Sequence, residues 1–194
     1  MKKWRFDFRI WHWVNAAVVL GLLGTVFLRE TLLNFKMTKE VVIQKLSELN
    51  IEATSVQIKA LTKAITSPLW EWHIILGYAL TALLVWRIAL FFTQSGQQSF
   101  LHFKEATLHK KIVKIGYAGI YMTLLFMAVS GLMLEFHKEL GLSNTLNESL
   151  EELHDLFYNV ILIFVPLHLI GVIIAEIKDE KGIISDMVHG GTQN

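Results

Sequence analysis

The chain has no cysteine. That excludes disulfides, thiolate-held iron–sulfur clusters and the C-x-x-C-H attachment of c-type haem. A redox group in this chain has to be held by histidine or methionine, or bound without any protein bond, which narrows the choice to haem b, flavin or quinone. Charge is also scarce, at 18% of residues, and it is clustered. The long apolar stretches hold no carboxylate in their interiors; Glu71, Asp155 and Glu176 all stand at their ends. No basic patch with interleaved aromatics occurs and the formal charge is only +1, so nothing points to a nucleic-acid partner.

What remains is apolar: 53% of the residues are hydrophobic and the mean hydropathy is positive. Long runs nearly empty of charge belong to a polytopic membrane protein rather than to one water-soluble core. Four spans stand out, at about 11–28, 72–92, 112–134 and 154–177, each near the length needed to cross a bilayer. The basic start MKKWRFDFR resembles a secretory signal. No small-residue cleavage site follows the apolar run, where VFLRETLLN stands instead, so the first span is expected to be an uncleaved anchor.

Lysine and arginine set the expected orientation. With the N-terminus inside, inner segments hold eleven basic residues and outer segments seven. Most of those seven fall in the long 29–71 connection, where the rule has least force. The short loops decide: the 93–111 loop has three lysines and the 135–153 loop one. Both termini are therefore expected on the cytoplasmic side of the membrane.

The 29–71 insertion carries apolar residues at helical spacing, first Val42, Leu46 and Leu49, then Ile58, Leu61 and Ile65, with 50–54 between them and Pro68 before the second span. Two short amphipathic helices are expected. They would lie on lipid headgroups or form a cap or docking surface at the outer mouth. Glycines recur in the spans (Gly21, Gly24, Gly77, Gly116, Gly119, Gly131 and Gly171). Close helix approach explains such residues; for Gly77, four residues after His73, and Gly171, three after His168, room for a flat macrocycle is a second reason. Pro166 should kink the fourth span.

The stretch HDLFYNVILIFVPLH, from His154 to His168, is the most informative. Fourteen residues carry a helix to within ~40° of four full turns and ~21 Å along its axis. Both imidazoles thus leave one face, near opposite sides of a hydrocarbon layer ~30 Å thick. Polar rings inside a membrane are costly and usually functional. His73 opens the second span on the side of His154. His12 opens the first span on the side of His168, ~24 Å below the outer end near Leu28. Two depth-matched pairs result, His73 with His154 and His12 with His168. They are read as axial ligands of two b-type haems. The plainer explanation for any one of them is a hydrogen bond to a neighbouring helix. His102, His109, His137 and His189 lie in polar or interfacial segments; His109 and His137 are the reserve ligands.

Four ligands on two irons leave no open coordination position, which suits electron transfer rather than oxygen activation. Arg87, near the inner end of the second span, is a candidate partner for a haem propionate; snorkelling to the inner headgroups is the alternative.

Around these histidines the chain resembles the prokaryotic cytochrome b561 family and its relatives, the b-type cytochrome subunits of nickel–iron hydrogenases and formate dehydrogenases. The matching stretches are RIWHWVNAAVVLGLLG, WEWHIILGYAL and HDLFYNVILIFVPLHLIGVIIAE, together with the tail KGIISDMVHGG. The 29–71 insertion is longer than in compact members. The resemblance implies an all-α, four-helix transmembrane bundle binding two haems, with a mostly helical periplasmic connection between helices 1 and 2. It also implies a quinone that exchanges electrons near the inner haem, and a periplasmic redox partner.

The expected function is transmembrane electron transfer between the quinone pool and that partner, as an electron-transfer subunit more than a self-contained enzyme; a homo-oligomer is left open. One alternative is a stand-alone superoxide:quinone oxidoreductase. The outer segments, with seven basic against eleven acidic residues, are net acidic and would repel that anion. Another is a histidine-lined transporter for divalent metal or protons, which the lack of carboxylates beside the histidines disfavours.

Overall fold

The computed structural model describes residues 4–92, 108–178 and 181–190. Six helices appear among them: α1 (Phe6–Thr31), α2 (Phe35–Glu48), α3 (Ser55–Phe92), α4 (Leu108–Glu135), α5 (Asn144–Lys178) and α6 (Ile183–His189). No strand occurs among the described residues. Helices α1, α3, α4 and α5 are long and apolar enough to cross a membrane. The all-α expectation with four membrane-length helices holds.

Two helices are longer than their apolar runs. α3 has 38 residues and α5 has 35, or ~57 and ~52 Å at 1.5 Å per residue, against a hydrocarbon layer of ~30 Å. The stretch with Ile58, Leu61 and Ile65 is thus the leading part of α3 and not a separate short helix; only α2 stands alone in the insertion. Pro68 lies inside α3. A proline removes one ladder bond and bends a helix, but it ends one only where a turn signal follows, and Leu69–His73 contains none.

The ends of these elements are set by short side chains. Asn34 caps α2, its side chain accepting from Lys36 N at 2.9 Å. At the other end Asn50 takes a positive φ of 55°. There Ile51 N donates to Leu46 O at 2.9 Å and Asn50 N to Ser47 O at 3.0 Å, the paired bonds of a Schellman turn with asparagine in the usual glycine place. Thr54 and Gln57 then form a capping box at the start of α3: Thr54 N donates to Gln57 Oε1 at 2.8 Å and Gln57 N to Thr54 Oγ1 at 3.3 Å. Ser143 accepts from Leu146 N at 3.3 Å where α5 begins.

The chain divides into two compact units, Met1–Ala17 with Tyr78–Asn194, and Val18–Gly77. In the first, segments of all four long helices close a ring. Trp11 of α1 donates from Nε1 to Leu83 O of α3 at 2.7 Å. Arg87 of α3 donates from Nε to the Tyr121 hydroxyl of α4 at 3.1 Å. Phe126 of α4 packs on Phe157 of α5 with centroids 4.4 Å apart, and His168 of α5 lies 6.3 Å from His12 of α1. This is a four-helix bundle. Its interior is thin: Trp11, Leu80, Leu83, Leu84, Leu124, Ala128 and Ile161 are among its few buried apolar side chains. α5 contains the most apolar and least covered membrane-length stretch, exposing Leu162, Ile163, Leu167, Leu169, Ile170 and Ile173, as a lipid-facing helix does. Between lipid-solvated helices the hydrophobic effect contributes little, so association rests on packing and on hydrogen bonds like those of Trp11 and Arg87.

α6 is fastened to the same unit. Both carboxylate oxygens of Glu176 accept from its first turn, from Gly182 N at 2.8 Å and Ile184 N at 3.0 Å. Its last turn receives Arg9 Nη2 at Val188 O (3.0 Å) and Trp13 Nε1 at Met187 O (3.3 Å). In the Val18–Gly77 unit, the second half of α1 packs on the first half of α3. A Cβ at Gly21 would meet Leu76 Cδ1 at 3.0 Å, and the Arg29 guanidinium lies over the Trp70 ring at 4.6 Å.

Candidate haem-binding site

Each histidine of interest sits on a long helix: His12 on α1, His73 on α3, His154 and His168 on α5. All four rings are half-buried. His73 belongs to the Val18–Gly77 unit and the other three to the bundle unit.

His12 and His168 come together, their ring centroids 6.3 Å apart and their planes at 59°. That separation tests whether a bis-imidazole metal fits. A metal–nitrogen bond of ~2.0 Å, plus ~1.1 Å from that nitrogen to the ring centre, taken on both sides, needs ~6 Å. The ring separation fits an iron between them. Aromatic rings surround the pair. Phe164, one turn before His168 on α5, stacks on it at 5.6 Å and 12°; Tyr117 of α4 meets its edge at 6.4 Å; Trp13 stands edge-on to His12 at 5.5 Å.

His73 and His154 are held differently. His73 Nδ1 lies 2.9 Å from Thr25 Oγ1, and Trp70 stacks on the His73 ring at 5.1 Å and 8°. His154 Nδ1 lies 2.8 Å from Ser130 Oγ on α4. A Cβ at Gly131 would meet His154 Cε1 at 3.4 Å, so a small residue beside Ser130 lets the ring lie close. Neither hydroxyl was foreseen. The usable signal was weak: Ser130-Gly131 and Thr25 are short polar residues in apolar helices, and nothing local links them to histidines 24 and 48 residues away.

Arg87 is 8% exposed and so does not reach for headgroups. Its guanidinium carbon lies 5.1, 5.4 and 5.3 Å from the ring centres of Phe8, Trp11 and Tyr121. Nη1 is buried without a hydrogen-bond partner among the described residues. A buried guanidinium with an unmet donor fits an anionic group such as a propionate. His137, a reserve ligand, bonds through Nδ1 to Leu134 O at 2.7 Å just past α4. His102 and the ring of His109 lie outside the described residues. No group of three or more His, Asp or Glu side chains that could hold a metal ion occurs among the described residues.

Close helix packing accounts for Gly21 but not for most span glycines. Among the described residues, a Cβ at Gly24, Gly77, Gly116, Gly119 or Gly171 would meet no atom of a neighbouring helix within 4 Å.

Four membrane-length helices that form a bundle, in a chain without cysteine, with two imidazoles 6.3 Å apart inside it, are the features of a membrane cytochrome with non-covalently bound haem. The family model for prokaryotic cytochrome b561 matches residues 3–190, and the chain belongs to that family. Comparison with curated proteins and with solved structures found no match. As a member the protein is a membrane cytochrome that transfers electrons through b-type haem.

Proposed function

We propose that the protein carries electrons across the bacterial inner membrane through two bis-histidine b-type haems, between the quinone pool and a periplasmic redox partner. His12 and His168 hold the haem nearer the cytoplasm; His73 and His154 hold the other. The observation that carries this reading is the 6.3 Å separation of the His12 and His168 rings. Helix rise supports a second level: His154 precedes His168 by fourteen residues on unbroken α5, ~21 Å of rise.

Haem b, held by His12 and His168 and by His73 and His154, would supply reversible one-electron chemistry. The chain orients the ligands, keeps water from them and sets their electron-donating strength. Arg87 places a positive charge beside Trp11, next to His12, where it would neutralise a propionate. A partner on the outer side is supported by the apolar residues that the insertion exposes: Leu49, Ile51 and Val56 are 67%, 52% and 75% exposed.

The test is a haem-quantified redox titration of the purified full-length protein. Two haems per chain, two one-electron waves with b-type bands, and reduction by a quinol are expected. One haem or none refutes the two-site reading, and two haems that no quinol reduces refute the quinone link.

A further inference from the structure

We infer that Thr25 and Ser130 are positioning residues that fix the proton of His73 and His154 on Nδ1, so that each ring presents Nε2 to iron. This rests on the proposed role of those two histidines as ligands.

Proton counting makes the case. A hydroxyl has one hydrogen to donate and can accept others. Thr25 Oγ1 lies 2.7 Å from Leu22 O in its own helix and 2.9 Å from His73 Nδ1. Ser130 Oγ lies 2.7 Å from Phe126 O and 2.8 Å from His154 Nδ1. A carbonyl oxygen only accepts, so each short oxygen–oxygen contact uses the hydroxyl hydrogen. The contact to Nδ1 is then a hydrogen bond only if the imidazole donates. A ring with its proton on Nδ1 has its lone pair on Nε2.

Water does not compete for these bonds, since Thr25 is 9% and Ser130 1% exposed. The same relay occurs twice, on different helix pairs: α1 to α3 in one unit, α4 to α5 in the other. No hydrogen bond to His12 or His168 occurs among the described residues, so the relay is not a general habit of histidine in this chain. A bond from the remote N–H raises the basicity of the coordinating nitrogen and locks the ring's rotation. A more basic ligand favours ferric iron. Losing the acceptor should therefore raise the midpoint potential of the haem these histidines hold.

The experiment compares wild type with Thr25→Val, Ser130→Ala, the double variant and the conservative Thr25→Ser, each as purified full-length protein. Haem per chain, potentiometric waves and ferric electron paramagnetic resonance spectra are read. Thr25→Val and Ser130→Ala should each move the same wave upward, by about a threefold change in the ferric-to-ferrous ratio at fixed potential, or ~30 mV at 59 mV per tenfold. The double variant should move it further, Thr25→Ser should leave it in place, and the other wave should not move. Two haems with native potentials and spectra in both single variants and the double would overturn the inference while leaving the two-haem reading intact. If the two variants move different waves, the hydroxyls still tune their ligands but the pairing of His73 with His154 falls. Wild-type protein without haem removes the parent reading and this one together. Should a variant fail to fold, hyperfine spectroscopy of the ferric wild type decides: iron on Nε2 with an exchangeable proton on Nδ1 supports the inference, and iron on Nδ1 at this haem overturns it.

Discussion

At one level of α5, His168 is held by rings; fourteen residues earlier on the same helix, His154 is held by a hydroxyl. The first environment has Phe164, Tyr117 and the imidazole of His12 around the ring and no hydrogen bond among the described residues. The second has Ser130 on Nδ1 and Gly131 beneath Cε1. Stacking restrains a ring's plane but leaves the site of its proton open, whereas a buried hydroxyl fixes that proton and loads charge onto the far nitrogen. One helix thus presents two chemically equal imidazoles in settings that should give them unequal donor strength.

The comparison breaks first if the histidines are not ligands. His168→Ala or His12→Ala should take haem content from two per chain to one and abolish one redox wave; His154→Ala or His73→Ala should abolish the other. Haem quantified as the pyridine complex, with a titration of each variant, checks this. Full haem content and both waves in His168→Ala would end the assignment.

A smaller and opposite effect belongs to Arg87. Replacing this 8% exposed cation with methionine removes positive charge near the His12–His168 pair and should favour ferric iron there. The expected result is a roughly tenfold change in the ferric-to-ferrous ratio, ~59 mV downward for one electron. The hydroxyl variants should move the other wave up, so the two signs separate the two levels. Arg87→Met with lowered melting temperature and native potentials would make this arginine a structural post for Trp11 and Tyr121.

Most of this architecture could be read from the chain because bilayer thickness and helix rise constrain membrane helices tightly. The interval from His154 to His168 gives two levels by arithmetic alone, and the His12–His168 contact follows from where the first span begins. Two other features could not be read. The extension of α3 back to Ser55 was hidden by Pro68, which looks like a boundary in sequence but costs only one ladder bond in the helix. The Thr25 and Ser130 hydroxyls were hidden because a hydrogen bond between helices depends on the facing of two elements, which periodicity within each one does not report. Arg87 falls between: its place near a span end was legible, but its inward turn depends on the cluster of Phe8, Trp11 and Tyr121.

Ring packing should matter less than charge. Phe164→Ala removes the ring stacked 5.6 Å from His168, an interaction of about 1 kcal/mol. Haem loss from that level should quicken about fivefold in transfer assays to an apo-globin acceptor, while the His73–His154 level keeps its rate. Equal acceleration at both levels would mean that Phe164 supports the whole bundle and not one ligand.

The least change is at Gly131. An added methyl carbon there would stand 3.4 Å from His154 Cε1, in van der Waals contact with the ring. Ser130 Oγ lies 2.8 Å from Nδ1 and opposes movement of the ring. Gly131→Ala should therefore keep two haems and both waves, shifting the ferric spectrum of one haem only, and Ser130→Ala added to it should relax that shift by freeing the ring. The His168 ring has no such hydrogen bond among the described residues, so a haem held there should show no response to either change. A spectral shift in Gly131→Ala that persists unchanged without the Ser130 hydroxyl would mean that packing alone, and not the hydrogen bond, holds the His154 ring.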